Sequence, residues 1–375
     1  MTSYKIKDFF IGDNEKCFII AEIGVNHNGS LDLAKKMIVA AKECGADAVK
    51  FQTFNSEQVC TNDADMENYQ IENSGEITTQ MKMLKKLELS HEAFLELKNY
   101  CNKQKIIFLS TPHSDDAIPF LNPNVPLFKL ESGDVTNHPR LKKVAATQKI
   151  IILSTGMCTL DEVKDAVKII ENEGNKQIIL LQCTSLYPCL PSEVNLCAMV
   201  AMRKEINYPV GYSDHTMGIH ASIVAVALGA TIIEKHFTLD RSMHGPDHKA
   251  SIEPVELKEM VKQVRAIEKV PHRERLGIVK QKIPNFSEYL GESVKRPTQR
   301  ELDILKTSRK SVISAVPIHR NDIISESMLC IKRPGTGIEP TTSNLSYLIG
   351  KTARREIPKD MVLSWDMFEG NENEN

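Results

Sequence analysis

The 375-residue chain lacks an excess of either charge, since 47 Lys and Arg stand against 49 Asp and Glu for a formal balance of minus two. That excludes the broad basic field by which proteins hold nucleic acid or an anionic membrane. It also lacks a long apolar run. The least polar stretch, residues 222–233, is broken by Gly229 and Thr231 and falls short of the ~20 residues a bilayer crossing needs. Near the N-terminus only residues 9–11 separate Lys5 and Lys7 from Gly12, too short a core for a signal peptide, so a cytoplasmic location is expected. Nine cysteines, an odd number with no CxxC pair, argue for reduced thiols and against disulfides or structural zinc. No GxGxxG follows the first β-branched run, and GVNHNG at 24–29 lacks the GK[ST] ending of a P-loop.

What the chain has is a repeat. Short apolar, often β-branched runs occur at 18–23, 48–51, 106–109, 127–130, 150–153, 178–182, 210–212 and 231–234. Between and after them lie stretches with apolar residues at three-to-four spacing, as at 31–44, 91–103, 160–173, 219–228 and 255–268. Eight strands alternating with helices over about 250 residues predict an α/β fold, a TIM (β/α)8 barrel.

In that fold active sites gather at the C-terminal ends of the strands, and here those ends are polar. In order they carry Glu22, Lys50 with Gln52, Ser110 with Thr111, Lys129 with Ser132, Ser154 with Thr155, Thr184 with Ser185 and Tyr187, Ser213 with His215, and Glu234 with His236. Such a ring suits a polar, anionic ligand. His215 and His236 close neighbouring strands and read either as ligands of a divalent cation or as hydrogen-bonding histidines. Lys50 and Lys129, near hydroxyls, suit phosphate and carboxylate, and either could instead form a Schiff base. Glu22, between an apolar strand and Gly24, reads as a tuned proton carrier or a structural carboxylate.

The barrel is expected over 1–283 and a linker with Pro284 and Pro297 over 284–307. A small domain follows over 308–369, too small to bury more than a marginal core alone, and the tail at 370–375 reads as disordered. The polar insertion at 59–84 reads as a lid over the mouth or a passive loop.

The segments FIIAEIGVNHNG, GADAVKFQT, STP, FKLESGD, ILSTGM, QCTSLYP, GYSDHT, IIEKHFTLD, GPDHKAS and KRPGTG occur in this order from residue 18 to 337. Together they resemble the sialic-acid (nonulosonate) synthases. The resemblance implies a TIM barrel joined to an antifreeze-like (SAF, β-clip) domain, and condensation of phosphoenolpyruvate with an N-acylated mannose-type sugar. It further implies Glu22 as the catalytic carboxylate and Lys50, Thr111, Lys129, Ser132, Ser154 and Ser213 as the phosphoenolpyruvate cradle. Gln52, Asp134, Tyr187 and Asp247 match sugar contacts, and His215 and His236 match ligands of a divalent metal, Mn2+ in the family. Arg333 matches an arginine that crosses into the other subunit of a domain-swapped homodimer. Ser185 and Asp134 stand where N-acetylneuraminate synthases of the bacterial type often carry Asn and Glu, and the motifs NHNG, CTSxYP and KRPGTGI are more similar to the N,N'-diacetyllegionaminate branch.

Overall fold

The computed structural model describes residues 2–369, so the tail expected to be disordered lies outside the described residues. The chain opens on an antiparallel hairpin, β1 (Ser3–Ile6) and β2 (Phe9–Gly12). Eight parallel strands then form the barrel: β3 (Phe18–Gly24), β4 (Ala48–Thr53), β5 (Ile107–Pro112), β6 (Leu127–Leu130), β7 (Ile150–Ser154), β8 (Ile178–Cys183), β9 (Val210–Asp214) and β10 (Ile232–His236). Their hydrogen-bonded order runs from β5 through β4, β3, β10, β9, β8 and β7 to β6, and β5 and β6 lie side by side at the seam. Each of the eight coincides with a run read from the sequence.

Strand alternation explains why polar ends converge. Side chains two apart share a face, and Phe18, Ile20, Ala48, Ile107, Leu109, Leu127, Ile150, Ile152, Ile179, Leu181 and Ile232 form one buried cluster inside the barrel. One or two steps further along the same face stand Glu22, Lys50, Thr111, Lys129, Ser154, Cys183, Ser213, Glu234 and His236. The interior therefore turns from an apolar floor to a polar mouth without changing register. Residues of the opposite parity pack against the surrounding helices. Asp214 and Lys235 belong to that outer set and neutralise each other at 2.9 Å.

The hairpin went unread because its strands are only four residues each. Ile6 and Ile11 join the floor cluster and close the lower end of the barrel. The stretch 284–307 differs from the linker expected. It carries the helices Phe286–Leu290 and Glu301–Ser308 and is fastened to the barrel by Leu196 N–H on Tyr289 O at 3.0 Å and Leu160 N–H on Lys295 O at 3.2 Å. These helices anchor through single buried residues, Tyr289 and Glu301, so no periodic apolar face marks them. The insertion is folded as well. Its helices Ser56–Val59, Asn68–Ser74 and Gln80–Lys85 share a small core of Val59, Cys60, Ala64, Met66, Met83 and Leu84 with Val25 and Phe54 of the barrel.

The second domain pairs β11 (Ser311–Ser314) with β12 (Leu329–Lys332) and has its own core of Val312, Ile318, Ile324, Ile338, Leu348, Ile357 and Leu363. It leans on the barrel mouth through polar contacts. Arg309 donates to Met157 O at 2.8 Å, and Arg333 N–H donates to Val59 O at 2.9 Å, beside the insertion.

Candidate active site

The mouth holds two connected cavities. The inner one, about 80 Å³, is lined mainly by strand residues, among them Glu22, Lys50, Thr111, Lys129, Ser154, Ser213 and Glu234. Lys50 Nζ lies 2.7 Å from Glu22 Oε2 and 3.8 Å from Glu234 Oε2, and it donates to Thr111 Oγ1 at 3.0 Å. Lys129 Nζ donates to Ser154 Oγ at 2.7 Å and stands 3.4 Å from Glu234 Oε1, which also accepts from Ser213 Oγ at 3.0 Å. Two ammonium groups and two carboxyls thus share one buried space.

Their proton affinities separate. Burial pushes Glu22 up to about 7 against the pull of Lys50, and Glu234 adds to the rise. Burial would raise Glu234 too, but Lys129 and Lys50 outweigh it and hold that carboxyl down at about 2. Of two carboxyls in one cavity, one stays ionised and the other can exchange a proton near neutrality, the division of labour expected of an acid–base site. Gln52 Nε2 donates to Glu22 Oε1 at 3.1 Å and fixes its direction.

The outer cavity, about 130 Å³, is lined by the apolar cluster of Val25, Phe54, Val59, Met83 and Leu84 and by the polar side chains of Glu67, Tyr187, Asp247 and Arg333. Gln52, Ser132, Tyr187 and His236 line both cavities. Asp134 does not reach either. It is wholly buried beneath the mouth, paired with Arg140 at 3.1 Å and with Lys310, because the Ser132–Asp134 turn ends the strand alternation and rotates this carboxylate inward. In this arrangement it ties the barrel to the second domain. Arg333 enters the barrel mouth and pairs with Glu131 at 2.7 Å, a contact that the second domain of the same chain or of an exchanged copy would make alike.

The model of the NeuB family matches residues 37–275, and that of the SAF domain matches residues 309–369. The chain belongs to the NeuB family. It is 42% identical to an N,N'-diacetyllegionaminic acid synthase of Campylobacter jejuni, over 93% of this chain and 99% of that protein. It is 38% identical to the human N-acetylneuraminate-9-phosphate synthase, over 96% and 95% respectively. A crystal structure of a spore coat polysaccharide biosynthesis protein from Bacillus subtilis superposes with a TM-score of 0.81 at 32% identity, covering 99% of this chain and all of that one.

In this NeuB-family chain the two histidines stand between the cavities, their ring centres 5.6 Å apart. His215 Nδ1 lies 2.8 Å from Thr184 O, so it carries the proton and leaves Nε2 as the free lone pair. His236 Nδ1 is buried with no partner, 3.9 Å from Asp247 Oδ2. Among the described residues no three His, Cys, Asp or Glu gather as a full metal shell. Two imidazoles with a free donor atom each fit a cation that completes its shell with water and substrate.

Sequence reading missed several residues of the mouth. Glu234 stands at its strand end with no role assigned from sequence, and Glu131 of FKLESGD, between Lys129 and Ser132, is not singled out. Glu131 receives Arg333, Lys310 at 2.6 Å and His113 at 3.3 Å, and Arg333 and Lys310 come from far along the chain. Glu301 was hidden in the apparent linker, where its carboxylate accepts from Met157 N and Ser185 N at 2.9 and 2.8 Å. It fixes the loops after β7 and β8. Only the acidic residue at the head of a helix after Pro297 could have hinted at it.

Proposed function

We propose that the chain condenses phosphoenolpyruvate with an N-acylated mannose-type sugar, giving a nine-carbon 2-keto acid and phosphate, with N,N'-diacetyllegionaminate as the product. The observation that carries this reading is the paired Lys50 and Lys129, buried beside Thr111, Ser154 and Ser213 in a cavity that opens into a second, half-apolar one. Phosphoenolpyruvate presents a phosphate and a carboxylate, and two ammonium groups flanked by hydroxyls neutralise both. The sugar takes the outer cavity with its aldehyde toward the histidines. Tyr187, Gln52 and Asp247 line its path, and the apolar wall suits the C6 methyl and C4 acetyl groups of 2,4-diacetamido-2,4,6-trideoxymannose.

The enol carbon attacks the aldehyde and forms the new C–C bond, which leaves an alkoxide on the former aldehyde oxygen and positive charge at the carbon bearing the phosphate ester. Water adds there and Glu22 takes one of its protons and passes it to the alkoxide; the C–O bond to phosphate then breaks, the remaining hydroxyl proton goes to the departing phosphate, and the ketone is left. Glu234, held ionised, stabilises the positive charge across the cavity. We assign His215 and His236 to a divalent cation, Mn2+. When bound, such a cation polarises the aldehyde oxygen.

Phosphate release from phosphoenolpyruvate, measured across a panel of mannosamine derivatives, tests the reading. Turnover with the diacetamido sugar above that with N-acetylmannosamine supports it, and the reverse order assigns the chain to N-acetylneuraminate formation. EDTA should abolish release and Mn2+ restore it. Full activity after chelation would remove the cation from the scheme.

A further inference from the structure

Among the described residues three buried polar atoms of the outer cavity have no hydrogen-bond partner: His236 Nδ1, already placed beside the cation site, Glu67 Oε2 and Arg333 Nε. Glu67 stands at the head of the insertion helix Asn68–Ser74, and its other carboxylate oxygen accepts from Ser308 Oγ. Its backbone N–H is occupied by Gln70 Oε1 at 3.0 Å. The side chain is therefore held at both ends, with one oxygen free. Glu67 is 7% exposed, so water does not compensate that oxygen as it would on a surface, and a buried acceptor left alone is costly. Buried polar groups of this kind are normally paired.

Position tells what pairs with it. Glu67 lines the outer cavity and is absent from the inner one, where the lysines lie. Its neighbours on the wall are Val59, Met83 and Leu84, from the same insertion. A sugar whose C1 faces the histidines places its C4 to C6 end here. We infer that Glu67 is a specificity-determining residue: its free oxygen accepts an N–H or O–H from the far end of the acceptor sugar and turns away an anionic substituent there. The inference rests on the proposed condensation and names the class of sugar it takes, one uncharged at C6.

The charge arithmetic supports exclusion of a phosphate. Arg333 is the one cationic side chain on this wall, and its guanidinium is engaged with Glu131 at 2.7 Å. Asp247 and Glu67 both present carboxyls to the same space. A phosphate on C6 would meet two carboxyls against one cation, whose guanidinium is shared with Glu131 through one nitrogen and leaves Nε–H unpartnered. The human relative is named for a 9-phosphate product, and three carbons from phosphoenolpyruvate make C9 of such a product C6 of the sugar.

The test compares kcat/KM for three sugars in the full-length, Mn2+-supplemented enzyme: the diacetamido trideoxy sugar, N-acetylmannosamine and N-acetylmannosamine 6-phosphate. Glu67→Leu, which removes the acceptor, should lower kcat/KM for both neutral sugars by about 10- to 100-fold through KM, with the KM for phosphoenolpyruvate unmoved. Glu67→Gln keeps the volume and removes the charge, so the ratio of phosphorylated to neutral N-acetylmannosamine should rise by about tenfold or more. Ser308→Ala loosens the attachment of the insertion and leaves the free oxygen, so it should move all three sugars alike. An unchanged ratio in Glu67→Gln, or equal use of the phosphorylated sugar by the unaltered enzyme, would overturn the assignment while leaving the condensation in place. Absence of phosphate release with all three sugars would instead overturn the condensation, and this inference with it.

Discussion

The inner and outer cavities share a wall but are built by different means. The inner one stands on strand ends, where Glu22, Lys50, Thr111, Lys129, Ser154, Ser213 and Glu234 are set by the alternation that also sets the apolar floor. The outer one is assembled from an insertion, the loop after β10 and the second domain, which contribute Glu67, Asp247 and Arg333 from positions far apart in the chain. Strands hold groups to the tolerance that bond-making needs. Loops can be exchanged without disturbing them. Under the proposed function the reaction belongs to the inner cavity and the choice of sugar to the outer, and mutations in the two should fail in different ways.

The largest effect should come from Glu22→Gln. Removing a proton carrier at unchanged volume should lower kcat by about 10²- to 10⁴-fold, while phosphoenolpyruvate still protects the protein against thermal unfolding. A loss below tenfold would break the assignment of chemistry to the inner cavity. The pH profile sharpens it. Because burial holds Glu22 at about 7, the kcat/KM of the unaltered enzyme should rise through that pH as the base forms, and Glu22→Gln should flatten that limb. For stability the sign is opposite: a carboxyl raised in the folded state favours the fold below the unfolded value of 4.5 and loses that contribution as pH climbs through 7.

Next in size is Lys129→Met. It leaves Glu234 ionised and buried with Lys50 as its remaining cation, 3.8 Å away. Breaking a buried pair from one side costs about 3 to 5 kcal/mol, read as a fall in denaturant midpoint, and activity should be lost with it. The double variant Lys129→Met, Glu234→Gln should regain much of the stability and none of the activity. A double variant no more stable than the single would show that the pair does not neutralise the cavity.

These two variants also mark where the sequence was legible. Glu22, Lys50, Lys129, Ser154 and Ser213 follow apolar residues of the same parity, so a one-dimensional pattern places them on one face and the barrel closes that face into a ring. His215 and His236 extend the same two strands. Asp134 shows the limit, because a turn breaks the alternation and the next buried partner, Arg140, decides where the carboxylate points. Glu67, Glu131 and Glu301 were beyond reach for another reason. Their meaning lies in single partners some 116 to 241 residues distant, Ser185, Lys310, Arg333 and Ser308, and no local period records such pairings.

Gly156→Ala probes the seam between the cavities. A Cβ there would lie 2.2 Å from Ser185 Oγ and 3.0 Å from Ser132 Oγ, inside contact distance of two hydroxyls at the mouth. Overpacking of this kind costs about 1 to 3 kcal/mol, and the displaced Ser132 should raise KM for both substrates. Adding Ser185→Gly removes the nearer clash and should restore most of the loss. Without rescue, the tight fit at Ser185 would not be what fixes this loop.

The smallest effect is expected at Arg333. It lines the outer cavity and meets the inner one through Glu131, which lines both, so Arg333→Ala should raise the sugar KM, with kcat/KM for the sugar falling by about tenfold, and leave the KM for phosphoenolpyruvate near its original value. A matching rise in both would mean that the second domain shapes the whole mouth and would erase the contrast between the cavities. The same residue tests how that domain is supplied. Its contacts with Val59 and Glu131 lie within one chain, whereas exchange between two copies would make identical contacts through a different path of the linking segment. Mixing Arg333→Ala chains with Glu22→Gln chains separates the two. With the domain seated on its own barrel, every site in the mixture carries one lesion and activity stays at the level of the separate variants; activity regained in verified mixed dimers would show that the domain is exchanged, with the outer cavity then completed by a neighbour and the inner one still by its own strands.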